Sequence, residues 1–177
     1  MRKTALQQMT FAAVLAAVYA VLTLVLPVPQ YGPVQIRFAE ALCVLPFFFP
    51  AATPGLFVGC VLANLASPYV LDVIFGSAAT LLACLWTGRL RNRWLASLPA
   101  VVCNAVIVGA EIAFTTQAGF GPAFWSAFGF NALTVGAGEL LACGLLGQLV
   151  LGVVYRTPML RDRIEPARLS RLRGFTS

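Results

Sequence analysis

Four carboxylates stand in or beside long apolar runs of this chain: Glu40, Asp72, Glu111 and Glu139, out of six acidic residues in all. An ionisable side chain inside a bilayer costs several kcal/mol, from about 2.5 upward, so it is paired, protonated or turned to a cavity. A carboxylate held in such a cavity accepts two parallel hydrogen bonds from neighbouring N–H groups of a flat molecule, or pairs with a cation. Asn104, seven residues before Glu111, falls on nearly the same helical face, and Asn131 lies about 80° around the helix from Glu139. Each amide offers a donor and an acceptor. The spacing predicts that the two helices carrying these residues converge on one polar pocket, with Glu139 the first candidate contact and Glu111 the second. The competing reading is interhelical hydrogen bonding with no guest.

Other residues frame that pocket. Arg37 and Glu40 are three apart at the start of an apolar run, which predicts an ion pair on one helical face. The preceding stretch, Pro27 to Ile36, holds Gln30, Tyr31 and Gln35, so the pair anchors either a helix end or the hinge of a lid. Tyr31 or Trp125 supplies a ring that can stack on a flat guest. Glu139 closes Val135-Gly136-Ala137-Gly138-Glu139, where glycine permits close backbone approach. In the first apolar run Ala12, Ala16 and Ala20 form a small-residue stripe flanked by Ala13 and Ala17, suited to close contact with another helix.

Several chemistries are excluded. The chain has no histidine, which removes the usual general base and metal ligand. The five cysteines, at positions 43, 60, 84, 103 and 143, are scattered singly through apolar runs, so neither a zinc site nor a disulfide framework is expected. The only lysine is Lys3 and no phosphate-binding glycine loop is present, so the chain does not itself use ATP. No nucleophile–base pair is visible. The reading is a non-enzyme with no cofactor and no metal.

These residues must be positioned by helices in lipid. The chain is 60% hydrophobic and 10% charged over 177 residues, with mean hydropathy +0.87, against about 25% charge in soluble domains. Its net charge of +6 is concentrated: Arg2 and Lys3, then Arg89, Arg91 and Arg93, then six arginines from Arg156 to Arg173. Basic residues stay on the cytoplasmic side. Both termini and one middle loop are therefore expected inside, leaving Arg37 outside and requiring an even number of spans. The charge is read as contact with lipid headgroups rather than with nucleic acid. The first run is taken as a retained span rather than a cleaved signal.

Six spans are predicted: about Met9 to Leu26, Phe38 to Phe49, Pro54 to Leu65, Val70 to Gly88, Ala96 to Thr116, and a last one beginning between Trp125 and Asn131 and ending near Tyr155. The second and third are short for full spans. The expected fold is an all-α integral membrane protein. Residues 1–155 form one six-helix domain, and 156–177 form a basic cytoplasmic tail, mobile or lying on the surface. No internal repeat stands out, so an inverted-repeat carrier has no support.

Three stretches are similar to a known family. They are the run from Tyr31-Gly-Pro-Val-Gln-Ile-Arg-Phe-Ala-Glu to Pro46-Phe-Phe, the segment Pro54-Gly-Leu-Phe-Val-Gly-Cys-Val-Leu-Ala-Asn64, and Asp72-Val-Ile-Phe-Gly-Ser-Ala-Ala-Thr-Leu-Leu-Ala83. Together they resemble the QueT family of queuosine-precursor transporters, over roughly residues 8 to 155. The resemblance implies a substrate-binding S component of an energy-coupling-factor importer, with six helices, a partner T subunit and two cytoplasmic ATPases. It also implies a T-subunit docking role for Ala12, Ala13, Ala16, Ala17 and Ala20. The substrate would be a 7-deazaguanine base, whose N1–H and exocyclic amine match a carboxylate such as Glu139 or Glu111, while Asn104 and Asn131 read its carbonyl edge. Alternatives are a stand-alone proton- or ion-coupled carrier, or an S component for another vitamin.

Overall fold

The computed structural model describes residues 5–169 apart from positions 27, 32, 34 and 118. Every regular element among them is helical, as expected where lipid leaves backbone polar groups no partner but the chain itself. Four helices are long and apolar enough to cross a membrane: the first (Ala5–Val25), fourth (Val70–Thr87), fifth (Arg93–Thr116) and sixth (Pro122–Arg156). The second (Phe38–Phe47) and third (Ala52–Asn64) are apolar but shorter. The sixth begins at Pro122, ahead of the expected window, because proline is pre-set for the first helical turn.

The second helix runs through the middle of the bundle. All of its residues but Phe38 and Leu42 are buried. It has 3-10 geometry over ten residues. At about 2.0 Å per residue, this stretches it to about 20 Å where an α-helix would cover about 15 Å. Its neighbours make room: a Cβ on Gly147 of the sixth helix would stand 2.7 Å from Val44 Cγ1. The first helix packs on the third by the same means. Backbone atoms of Ala12 occupy the space a side chain at Gly55 would need, and a Cβ on Gly59 would lie 2.7 Å from the Ala16 carbonyl oxygen. The alanine stripe is thus partly spent inside the molecule. Ala16 is buried, while Ala13 and Ala17 face outward.

The fifth and sixth helices each contain a π-helical stretch, Asn104–Val108 and Leu140–Leu146. Such stretches rotate the residues that follow and cluster at functional sites. The two helices meet where Gly109 lies against Ala132, at 3.0 Å from a Cβ built there.

The basic segments gather at one end of the bundle. Gln148 donates to the Arg93 carbonyl at 2.9 Å. Arg168 donates to the Pro46 carbonyl at 3.1 Å, to that of Phe47, and to that of Gly88 at 2.7 Å. Phe11, near the start of the first helix, stacks edge-on to Phe49 at that same end. Part of the C-terminal segment therefore differs from a surface-lying tail. Residues 158–169 fold back, Ile164 is only 2% exposed within the core, and Arg168 satisfies carbonyls that two helix ends leave open. Arg161 and Arg163 do stay exposed. Arg2, Lys3, Arg171, Arg173 and the stop at Pro27 lie outside the described residues.

Candidate ligand pocket

Glu40 sits at the centre of a buried polar cluster and is fully buried. Its Oε1 accepts from the Tyr19 hydroxyl and, at 3.1 Å, from Thr80. Its Oε2 accepts from the Cys43 thiol at 3.0 Å. The Cys143 thiol reaches the Glu40 backbone carbonyl at 3.0 Å and Glu139 Oε2 at 3.5 Å. Glu139, 4% exposed, is linked in this way to Glu40 and has Asn104 beside it. First, second, fourth, fifth and sixth helices all contribute.

A second group adjoins the first. Arg37 donates through Nε to the Gln30 carbonyl at 2.8 Å, and its Nη2 stands 3.7 Å from Asp72 Oδ2. Its guanidinium lies over the Tyr31 ring, 5.1 Å from the centroid. The Tyr31 hydroxyl donates to the Ala63 carbonyl at 2.7 Å. Asp72 accepts from Ser67, while the Asn64 amide holds the Asp72 carbonyl at 2.9 Å and the Ser77 hydroxyl at 3.2 Å. Glu111 of the fifth helix interacts with Asp72 of the fourth, with Arg37 within electrostatic reach.

The expected Arg37–Glu40 ion pair is corrected by this arrangement. Arg37 precedes the second helix in extended backbone, φ −103° and ψ 97°, so the two side chains do not share a helical face. Arg37 turns to Asp72, and Glu40 points inward to neutral donors rather than anchoring a helix end.

The segment before the second helix covers part of the sixth. The Ile36 amide closes it on the Pro29 carbonyl at 2.8 Å, and the Thr134 hydroxyl donates to the Pro33 carbonyl. The Gln35 carbonyl rests where a side chain at Gly138 would be. This explains a glycine beside Glu139: the covering backbone lies against the helix there.

Several polar atoms of the cluster remain without hydrogen-bond partners although buried: both amide atoms of Gln30, Arg37 Nη2, Asn64 Oδ1, Asn104 Nδ2 and Glu111 Oε2. A buried polar atom left unpaired costs about 1–3 kcal/mol. Donors and acceptors of this density, on different segments, suit a small polar guest bound edge-on.

Of the residues expected from sequence, Glu139, Glu111, Asn104, Glu40, Arg37 and Tyr31 are brought into this cluster. Asn131 is buried at 4% on the sixth helix, about two turns before Glu139. Trp125 stays outside, 70% exposed and edge-on to Phe124 and Phe128. Sequence reasoning omits Tyr19, Thr80 and Asn64 as site residues, and names Gln30 only as part of the stretch before Arg37. Tyr19 carried a signal, being the lone hydroxyl-bearing ring within the alanine-rich run.

Residues 9–156 match the family model described as QueT transporter. The Queuosine precursor transporter QueT of Lactococcus lactis subsp. cremoris (strain MG1363) is 34% identical over 83 residues, 46% of this chain and 49% of that protein. The chain thus aligns with about half the length of that relative. No solved structure matches it. With four spanning-length apolar helices and this family match, the chain is a multi-pass membrane protein.

Proposed function

Because this chain belongs to the QueT transporter family, we propose that its buried polar cluster captures a queuosine precursor of the 7-deazaguanine type for uptake across the membrane. The observation that carries this reading is the set of buried, unpartnered donors and acceptors around Arg37, Glu111 and Asn104. A flat base with neighbouring N–H donors and a carbonyl meets that demand. Its N1–H and exocyclic amine donate to the Glu139 carboxylate, while Asn104 and Asn131 supply amides for its carbonyl edge. Stacking falls to Tyr31 rather than to the exposed Trp125.

In this proposal the chain is the S component of an energy-coupling-factor importer. It crosses the membrane six times, with both termini and the arginine-rich end cytoplasmic. Energy comes from a T subunit and two ATPases, in keeping with the lack of any nucleotide-binding motif here. The T subunit docks on the first helix at Ala13 and Ala17, beside a groove of about 510 Å³ lined by Ala5, Met9, Ala12, Pro54 and Val58.

Uptake of a radiolabelled precursor into cells expressing this chain tests the reading. Loss of uptake on inactivating the ATPases is expected. Uptake that survives and follows the proton gradient would instead identify a stand-alone carrier.

A further inference from the structure

Glu40 and Glu139 are neighbouring carboxylates in one apolar bundle, 0% and 4% exposed, and they are unequally supplied with donors. Glu40 accepts from three: the Tyr19 hydroxyl, Thr80 at 3.1 Å and the Cys43 thiol at 3.0 Å. Three donors suit the ionised form, which has acceptors and no hydrogen of its own. Glu139 has the Cys143 thiol at 3.5 Å, and that single hydrogen is shared with the nearer Glu40 backbone carbonyl at 3.0 Å.

The charges around the pair do not offset both acids. The first helix brings Tyr19 and the third Cys60. Arg37 and Cys43 stand before and within the second. Asp72 and Cys84 come from the fourth, Glu111 and the Asn104 amide from the fifth, and Cys143 from the sixth. Among the described residues, Arg37 is the one basic side chain buried with these acids. Its Nη2 stands 3.7 Å from Asp72, and its Nε donates to the Gln30 carbonyl. Two adjacent carboxylates in a medium of low dielectric do not both ionise. The better supplied of the two keeps the charge, and the other keeps a proton.

We propose that Glu40 is a positioning residue acting through Glu139: its fixed negative charge keeps Glu139 protonated in the ligand-free chain, and Glu139 gives up that proton when the base docks. This rests on the deazaguanine reading above. The N1–H and the exocyclic amine of the base both donate, so they need a carboxylate with no hydrogen of its own. On binding, the O–H bond of Glu139 breaks, its proton leaves to water, and the two N–H bonds of the base stay intact as they donate. Capture is thereby linked to the release of one proton, and affinity rises with pH while free Glu139 is protonated.

Isothermal titration of the detergent-solubilised wild-type chain tests this, with a 7-deazaguanine precursor bearing an aminomethyl group as the probe. Its amine stays protonated up to neutral pH, so the ligand itself contributes no proton. Titration at one pH in two buffers of different ionisation enthalpy counts the protons. Wild type should release about one per ligand, and affinity should rise by up to about tenfold per pH unit between about pH 6 and pH 7.5. Glu40→Gln removes the neighbouring charge, so at neutral pH the count should fall well below one and the rise should move to lower pH. Should that variant fail to fold, Tyr19→Phe takes its place. Removing a donor from Glu40 moves the proton toward Glu40, which should also lower the count. The count should persist in Glu111→Gln, whatever that change does to affinity. Binding by wild type without proton release would overturn the inference alone, as would an unchanged count in Glu40→Gln or its substitute, or loss of the count in Glu111→Gln. Absence of binding to folded wild type at every pH would overturn the deazaguanine reading itself, and this inference with it.

Discussion

The Tyr19 hydroxyl donates to the Glu40 carboxylate, joining the first helix to the second at the middle of the bundle. Both residues are fully buried. The bond gives the first helix a role in the polar cluster besides its alanine contacts, and it ties the pocket to the helix proposed to meet the T subunit. Tyr19→Phe removes one donor from a buried carboxylate and adds no bulk. It should lower stability by about 1.5–3 kcal/mol, the range for hydrogen bonds to charged groups. Thermal unfolding in detergent measures the loss, and an unchanged midpoint would mean that Thr80 and Cys43 satisfy Glu40 alone.

Gly138 is where the covering segment touches the sixth helix. Gly138→Val must push the Gln35 backbone away, and the displaced segment carries Gln30, Tyr31 and Arg37 with it. Ligand affinity should fall by about tenfold or more, since a misplaced contact of that kind forfeits at least one hydrogen bond. A Cβ at Gly152 meets nothing within 4 Å, so Gly152→Ala should leave affinity unchanged. Calorimetric titration of the two variants side by side separates local crowding from general glycine replacement.

The two faces of the first helix should respond differently to bulk. Ala16 abuts the third helix at Gly59, so Ala16→Trp overpacks an internal contact and should destabilise the isolated chain by about 1–3 kcal/mol or more. Ala17 is exposed, so Ala17→Trp should leave folding and ligand binding intact while blocking transport. Melting temperature, binding and uptake measured on both variants check this. Full transport by Ala17→Trp would move the docking surface elsewhere.

Arg168 clasps the ends of the second and fourth helices through three carbonyls. Arg168→Ala should cost about 2 kcal/mol, with little change in ligand affinity, because the clasp lies at the end of the second helix away from Arg37 and Glu40. Arg168→Lys should not restore the loss, since a point-charge ammonium does not span acceptors that a planar guanidinium bridges. Urea or thermal unfolding of the three proteins reads both effects.

Much of this arrangement is legible in the sequence, for a physical reason. Lipid makes charge expensive, so Glu111 and Glu139 in apolar runs mark a buried polar cluster, and the spacing of Asn104 and Asn131 points to the same helices. The arginine clusters mark one end because charge resists translocation, and the structure gathers their elements at one end. What is not legible depends on backbone geometry and distant pairing. The i, i+3 rule assigns Arg37 to Glu40, but it holds only in a helix, and Arg37 lies in extended chain. Glu40 meets Tyr19 and Thr80 across separations of 21 and 40 residues, which no local pattern encodes. Ring type alone does not separate Tyr31, held over the cluster by Arg37, from Trp125, left among exposed aromatics. Residue type equally fails to show that Arg168 folds back on helix ends while Arg161 and Arg163 face outward.

The central claim is that the buried cluster around Glu139 and Glu111 holds a deazaguanine base. Native mass spectrometry of the gently purified chain, incubated with the aminomethyl precursor, tests it most directly. Wild type should retain one ligand per chain, and Glu139→Gln, whose amide cannot accept from both N1–H and the exocyclic amine, should retain little or none. Equal retention by Glu139→Gln and wild type would contradict the account.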